Sequence, residues 1–435
     1  MHKLSSLYNL VLARVGSDTF NTLVVTGALF LVGFTSYLLQ FVLGRLLSVE
    51  SFGDFNGLLS LITIISFVAS VVGMALVKIF SELYGDKSYG MLRNVFKKVV
   101  LISLGVGIAV GIILVLSGSY IKSMFNISSK DIIFFYALNF SISLTTMFFG
   151  ILLQGINKFI FFSIFLVQGS TSRFLITTLL VYFVRRDPSM VYLGFFLSHL
   201  LSLAVGIYLY KLANIKAYEG DQLYTKGSST AQFKKLIIDS IPIAIITGVM
   251  TLLANTDLIL VKSLFSPYEA GIYAGTVTLG KVILFGSGSV ATVMYPRVIS
   301  VRKSKEQLLT LIRQFTLIQI VLVLLPLIVY VLFPKLIAGL LFGAKYYPTV
   351  PYLPMYAFFV SCWVFVNFML TLFIALDVRR VAFLVPVFAI LQYLGIYVFH
   401  GTLFQVLQVN IVIGIAFLLF TLGAFVVRMR NISAY

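Results

Sequence analysis

The sequence predicts an all-α, polytopic membrane protein with twelve transmembrane helices in two six-helix lobes. Three observations support this class. The 435-residue chain is 60% hydrophobic and only 11% charged, whereas a soluble protein carries about 25% charged residues. Long apolar runs follow one another along the chain, and one polar-aromatic segment recurs after half the chain length. The net charge of +18 is explained by basic loops, so no nucleic acid partner is expected.

Twelve apolar runs are long enough to cross a bilayer, which takes about 20 residues in a helix. Backbone polar groups need internal partners in lipid, so each run is expected to be a helix. The predicted spans are 22–44, 55–80, 98–120, 132–155, 159–183, 190–211, 236–261, 268–296, 314–334, 352–376, 381–399 and 403–427.

Basic residues predict the orientation of these spans. With the N-terminus inside, 22 of the 32 Lys and Arg residues fall in cytoplasmic segments and 8 in external ones. Positive charge accumulates on the cytoplasmic side of membrane proteins. We therefore expect a multi-pass protein of the cell (inner or plasma) membrane with both termini in the cytoplasm.

The longest connection divides the chain. Residues 212–235 are polar and contain Gly and Ser, which is typical of a linker. The expected organisation is an N-terminal six-helix lobe at 1–211, a cytoplasmic linker at 212–235 and a C-terminal six-helix lobe at 236–435.

A duplication relates the two halves. "SVESFGDFNG" (48–57) and "SPYEAGIYAG" (266–275) share Ser, Gly and Gly at equivalent positions and pair Phe55 with Tyr273. Each segment opens an even-numbered span, so both halves enter the membrane from the same side. Transporters with such parallel repeats bind substrate between the halves and alternate access by rocking them. The Gly-x-x-x-Gly spacing in each copy also predicts close helix packing.

Segments in both halves resemble a known family. They are "LGRLLSVESFGDFNGLLSL" (43–61), "GILLQGINKFIFFSIFLVQGSTSR" (150–173), "NTDLILVKSLFSPYEAGIYAGTVTLGKVILF" (255–285) with "MYPRVIS" (294–300), and "LLFGAKYYPTVPYLPMYAF" (340–358). The chain resembles the O-antigen-flippase type of oligosaccharide and polysaccharide flippases in the multidrug/oligosaccharidyl-lipid/polysaccharide (MOP) exporter superfamily. The resemblance implies two lobes around a central cavity, as in the related MATE transporters. It also implies movement of lipid-linked glycans from the cytoplasmic to the outer leaflet.

Two cations lie midway along predicted spans, Arg173 in the fifth and Lys281 in the eighth. An unpaired charge at that depth costs about 2.5–3.5 kcal/mol on insertion scales, so it needs water, a partner or a substrate. One interpretation is a cationic cavity that binds an anionic substrate. The other is a structural role, in which each cation pairs with carbonyl groups or a carboxylate between helices.

Other charges lie near the ends of spans. Arg45 and Lys262 occupy similar outer ends of the first and seventh spans, and Asp257 lies just over one turn before Lys262. Their side chains could reach the membrane interface, with Asp257 pairing with Lys262. Alternatively, the three residues form an outer gate. Pro242 should loosen the seventh span and is a candidate hinge.

The preferred function is a flippase of lipid-linked, polyprenyl-phosphate-type oligosaccharide that works by alternating access, because the mid-span charges favour an anion. The alternatives are a multidrug cation antiporter on the same fold and a flippase of the peptidoglycan lipid precursor. A membrane enzyme such as a glycosyltransferase or polymerase is disfavoured, because the external loops are short and carry no acidic pair; we expect no enzymatic activity.

No cofactor and no metal site are expected, since the chain has one cysteine and three scattered histidines. A coupling ion, H⁺ or Na⁺, is left open. The expected partners are the anionic lipid-linked oligosaccharide, membrane lipid, and glycosyltransferases or a polymerase of the same pathway. The protein is expected to be a monomer.

Overall fold

The computed structural model describes residues 17–127, 129, 131–213, 241, 244–301, 304–376 and 378–433, and within these ranges it contains helices and no β-strand. The first seven helices are α1 Ser17–Leu46, α2 Val49–Gly85, α3 Tyr89–Leu116, α4 Gly118–Met124, α5 Ile132–Gly155, α6 Phe159–Phe183 and α7 Pro188–Leu212. The later helices are α8 Thr256–Leu264, α9 Pro267–Gly280, α10 Val282–Val301, α11 Lys305–Leu332, α12 Pro334–Leu341, α13 Leu353–Ala375, α14 Pro386–Val398 and α15 Leu403–Ser433. Short 3₁₀ turns cover Ala344–Thr349 and Arg379–Phe383.

The all-α fold class is confirmed. Within the described residues, 11 helices are long and apolar enough to cross a membrane, including a span at Ala244–Leu264 whose last part is α8. The predicted eighth span, 268–296, is divided into α9 and α10 by a turn at Lys281. Eleven long helices and one divided helix account for the twelve predicted runs.

Local sequence explains where helices begin. At the start of α9, the Ser266 hydroxyl accepts a hydrogen bond from the Glu269 amide, and the Glu269 carboxylate accepts one from the Ser266 amide. This capping box satisfies two amides that lack partners within the helix. Pro267 follows as the first helical residue, where its missing N–H costs nothing. The "SPYE" sequence therefore stops one helix and starts the next.

The chain forms two compact units. Unit 1 comprises Met1–Leu46, Val68–Ile121 and Ser129–Ile237. In its core α5 packs between α3 and α7. Phe96 of α3 meets Phe149 of α5 edge to face, with ring centroids 5.1 Å apart, a favourable geometry for aromatic pairs.

Unit 2 comprises Leu47–Phe67, Lys122–Ser128 and Ile238–Tyr435. Its core lies around α13, which packs against α10, α11 and α15. The first half of α2, which the sequence assigns to the N-terminal lobe, belongs to this unit. The predicted linker 212–235 lies outside the described residues except at 212 and 213, so the lobe boundaries stay a prediction.

Candidate functional site

A cavity of about 210 Å³ with both apolar and polar side chains in its lining lies inside unit 1 around Arg173. Helices α1, α5, α6 and α7 surround it. Its lining is rich in hydroxyl groups, contributed by Ser36, Ser143, Thr146, Ser170, Ser198 and Ser202. Small residues make this space available: a Cβ added at Gly169 would lie 3.3 Å from the Ser202 hydroxyl oxygen. The cavity is therefore a hydrogen-bonding site within a bundle of apolar helices.

Arg173 is the cation of this cavity. Its guanidinium carbon lies 5.2 Å from the ring centroid of Phe195, within the range of a cation–π interaction. Its Nε donates no hydrogen bond to any described residue, and the described residues that line the cavity include no acid. His199, also in the lining, makes a 2.8 Å hydrogen bond from Nδ1 to the Phe195 carbonyl. The guanidinium therefore keeps donors available for an anion.

Helical spacing in the sequence predicts that Gly169, Ser170 and Thr177 share one polar face of α6 with Arg173, and this prediction is confirmed in part. Gly169 and Ser170 line the cavity beside Arg173. Thr177, expected on the same face, is fully buried against Gly194 of α7 instead. Periodicity placed the three residues on one side of the helix, but the packing of α7 closes the cavity one turn after Arg173.

Lys281 lies in a different environment, at the turn between α9 and α10. Its ammonium group donates a 2.5 Å hydrogen bond to the carbonyl of Ala254. Ala254 is in the turn that interrupts the Ala244–Leu264 span, where carbonyl groups lose their helical partners. Lys281 also interacts electrostatically with Asp257. These contacts correspond to the structural interpretation of Lys281, while its role in binding substrate stays a prediction.

Asp257 is the centre of a buried polar network in unit 2. Its carboxylate accepts hydrogen bonds from the Tyr273 hydroxyl at 2.9 Å and from the Asn410 amide at 3.4 Å. The Asn410 oxygen in turn accepts a 2.9 Å hydrogen bond from Gln392. Asp257 is fully buried, so these donors replace the water that a carboxylate needs. The network joins α8, α9, α14 and α15.

The predicted Asp257–Lys262 pair is wrong. Lys262 forms its ion pair with Asp54 of α2, with a 2.6 Å distance between Nζ and Oδ1. The side chains of Lys262 and Asp54 are only 1% and 4% exposed, so Lys262 does not extend to the membrane interface. The interpretation failed because α2 begins at Val49, six residues before the predicted span, which turns Asp54 from a loop residue into a helical one.

Sequence reasoning missed Asp54 as a functional candidate. The signal available was an acid inside "SFGDFNGLL", flanked by aromatic and apolar residues at the start of a long hydrophobic run. An ionisable residue within a membrane helix is a functional or structural centre by default.

The duplicated glycine motifs meet each other. A Cβ added at Gly53 would lie 2.9 Å from the Cα of Gly271, the equivalent residue of the second copy. A Cβ at Gly57 would lie 2.9 Å from Cγ of Lys262. The predicted packing role of the glycines is confirmed, since the backbones could not approach this closely with larger residues.

Two predicted site residues, Arg45 and Pro242, remain to be placed. Arg45 is exposed in the last turn of α1, in unit 1. Pro242 lies outside the described residues. The outer gate and the hinge therefore stay predictions. No group of three or more potential metal ligands occurs in the described ranges.

Long apolar helices, an internal duplication and a cavity around a cation define a multi-pass membrane protein. The chain belongs to a family of polysaccharide biosynthesis proteins, whose family model matches residues 21–302. An uncharacterized membrane protein of Methanocaldococcus jannaschii is 24% identical over 286 residues, or 64% of this chain. The match spans 66% of that relative, just under two thirds of its length.

Solved structures share the fold. An inward-facing multidrug resistance MATE family transporter of the MOP superfamily has a TM-score of 0.67 at 14% identity, covering 91% of this chain and 95% of its own. The outward-facing conformation of such a transporter has a TM-score of 0.64 at 14% identity, and the match covers 94% of this chain and 96% of the transporter. A MOP superfamily transporter from Pyrococcus furiosus, described as having a binding pocket of reversed polarity, gives 0.60 at 15% identity, with 97% and 98% covered.

Proposed function

We propose that this protein flips a lipid-linked, polyprenyl-phosphate-type oligosaccharide from the cytoplasmic to the outer leaflet by alternating access. The observation that carries the proposal is Arg173 in a cavity where serine and threonine hydroxyl groups, and no acid, are the other polar side chains of the described lining beside His199. Membership of the polysaccharide biosynthesis protein family supports a glycan substrate.

The chemistry of the cavity suits the two polar parts of such a substrate. A guanidinium group binds phosphate oxygens through parallel N–H donors. Five of the six lining hydroxyl groups donate to carbonyl groups of their own helices, so their oxygens remain as acceptors for the hydroxyl groups of a sugar. They belong to Ser36, Ser143, Thr146, Ser170 and Ser198. The polyprenyl chain would remain among the exposed apolar side chains of the spans. The 210 Å³ volume accommodates a phosphate group with its first hydrogen-bond partners and not a whole glycan.

The energy source follows from the charge of the substrate. An anion moving outward across an inside-negative membrane gains about 2.3 kcal/mol per charge for each 100 mV. The membrane potential can therefore contribute to transport without a nucleotide. A coupling ion, H⁺ or Na⁺, would add to this.

The proposal includes the surroundings of the protein. The protein would lie in the cell membrane with both termini cytoplasmic, as its basic residues predict. It would receive its substrate from glycosyltransferases and deliver it to a polymerase, and it would function as a monomer.

A multidrug cation antiporter is the second candidate, favoured by the likeness to multidrug resistance transporters. Such a transporter needs a carboxylate that can exchange a cationic drug for its coupling ion. The buried acids described in the spans have other partners, since Asp54 pairs with Lys262 and Asp257 bonds to Tyr273. The Arg173 cavity would repel a cation, and for this reason we rank the flippase first.

The test expresses Arg173 variants in a strain from which the chromosomal copy of the gene for this protein is deleted. Arg173→Ala should reduce surface polysaccharide roughly 10- to 100-fold, because a hydrogen bond to a charged group contributes about 1.5–3 kcal/mol. Arg173→Lys should retain intermediate export, since the charge remains without the planar donor pair. The lipid-linked oligosaccharide should accumulate on the cytoplasmic side.

Arg186→Ala is the matched control. This arginine is exposed in the loop before α7 and lies 5.9 Å from the Tyr182 ring. Its removal should leave export unchanged at equal membrane abundance. Full export by Arg173→Ala would refute the binding role, and loss of resistance to cationic compounds in that variant would favour the antiporter.

A further inference from the structure

A second and larger pocket lies at one end of unit 1, where α3 begins and α7 ends. Its volume is about 670 Å³, within the roughly 300–1,000 Å³ range of small-molecule sites. Helices α3, α5 and α7 form its walls. It shares no lining residue with the Arg173 cavity, so it is a separate site.

Cations form the rim of this pocket. Arg93 and Lys97 lie one turn apart on α3, and Lys211 lies in the last turn of α7. All three side chains are exposed, and no acidic residue lines the pocket. Within the described ranges none of the three forms an ion pair. The rim therefore concentrates positive charge, and the described acidic residues do not neutralise it.

The floor of the pocket is apolar. Phe96 and Phe149 are almost fully buried beneath the rim. The Tyr210 ring lies 5.3 Å from that of Phe96 and takes part in the lining. Val100 and Ile207 continue the apolar wall along α3 and α7, toward the middle of the spans. A ligand that fits must therefore have an anionic head and an apolar chain.

The position of the pocket also suits a ligand with an anionic head and an apolar chain. Its rim lies at the end of unit 1 that the distribution of Lys and Arg predicts to be cytoplasmic. Anionic lipids in that leaflet attract basic residues close to the membrane surface, and basic pockets between membrane helices bind their head groups.

We propose that this pocket binds an anionic glycerophospholipid of the cytoplasmic leaflet. The phosphate lies between Arg93, Lys97 and Lys211, and an acyl chain runs along Val100 and Ile207. The bound lipid joins the ends of α3 and α7 beside the aromatic contacts of α5. The site does not depend on the transported substrate.

The experiment measures lipid binding to the purified full chain in neutral detergent. Native mass spectrometry follows titration with dioleoylphosphatidylglycerol, and dioleoylphosphatidylcholine serves as the neutral lipid. The variant Arg93→Gln/Lys97→Gln removes two rim charges. The matched control, Lys87→Gln/Lys98→Gln, removes two exposed charges from the same end of unit 1 that do not line the pocket.

We expect the native protein to bind phosphatidylglycerol in preference to phosphatidylcholine. The rim variant should lose roughly tenfold in affinity for phosphatidylglycerol, whereas the control variant should lose less than about twofold. Equal binding of both lipids, or equal losses in both variants, would overturn the proposal.

Two further probes identify the ligand. Inorganic pyrophosphate should not displace phosphatidylglycerol, because it lacks the chain that the apolar wall requires. Polyprenyl phosphate at equal concentration should compete weakly. If it displaces phosphatidylglycerol completely, the pocket belongs to the carrier lipid and the assignment to a phospholipid is wrong.

Discussion

Two membrane-embedded cations, Arg173 in unit 1 and Lys262 in unit 2, have opposite surroundings. Arg173 faces a cavity lined with hydroxyl groups and without an acid. Lys262 is sealed against Asp54 at 2.6 Å, and its side chain is 1% exposed. One cation keeps donors available, and the charge of the other is matched inside the protein.

The difference teaches that the depth of a charge along a span does not identify its role. A buried charge with a carboxylate partner belongs to the structure of the helix contact, because losing either partner leaves an uncompensated ion. A charge with only an aromatic ring and hydroxyl groups around it is the one suited to an external anion. Experiments on stability and on transport should therefore separate the two sites.

The largest expected effect on stability comes from the ion pair. Lys262→Met should lower the free energy of unfolding by about 3–5 kcal/mol, because Asp54 is left buried without a counter-charge. Arg173→Met should lower the free energy of unfolding by about 2 kcal/mol, the contribution of a cation–π contact away from water. Unfolding by sodium dodecyl sulfate in mixed micelles measures both.

The double variant Asp54→Leu/Lys262→Met sharpens the comparison. Replacing both ions with apolar residues should restore most of the stability. If Lys262 also belongs to the predicted outer gate of Arg45, Asp257 and Lys262, this stable double variant should still fail to export glycan. Similar losses for Lys262→Met and Arg173→Met would remove the distinction between the two cations.

A glycine substitution should also destabilise the protein more in unit 2 than in unit 1. Gly271→Ala should lower the free energy of unfolding by about 1–3 kcal/mol, because the added Cβ would collide with the Val49 backbone carbonyl. Gly169→Ala in the Arg173 cavity should be nearly neutral, since its Cβ would meet only the Ser202 hydroxyl at 3.3 Å. Thermal unfolding in detergent compares the pair, and an equal shift in Tm would contradict the proposed close packing of the repeats.

The smallest expected effect on stability comes from removing the hydroxyl group of a buried tyrosine. Tyr273→Phe removes a hydrogen-bond donor to Asp257 and should lower the free energy of unfolding by about 1.5 kcal/mol. Tyr136→Phe in unit 1 is the control, because the buried Tyr136 hydroxyl has no hydrogen-bond partner in the described part of the chain. Removal of the Tyr136 hydroxyl should leave the free energy of unfolding unchanged or raise it slightly. A greater cost for Tyr136→Phe would show that the polar network of unit 2 contributes little.

Local sequence predicted the helical spans, because apolar length is a property of consecutive residues. The predicted start of the eighth span at 268 lies one residue after α9 begins at Pro267. Local sequence also predicted that the duplicated glycines serve packing. The helix ends were less certain, and the six residues by which α2 exceeds its predicted start at 55 changed the interpretation of Asp54.

By itself, the sequence determined the class of protein, the number of apolar runs and the presence of cations at mid-span. Only the tertiary structure decided which charges are neutralised. Asp54 reaches Lys262, Lys281 reaches the carbonyl of Ala254, and Asn410 reaches Asp257. Such pairs join helices that are distant in the chain, and a charge in a low-dielectric interior is stabilised by whichever partner the packing brings within hydrogen-bond distance. Arg173 remains available for a ligand because the packing of α1, α5, α6 and α7 brings it hydroxyl groups instead of an acid.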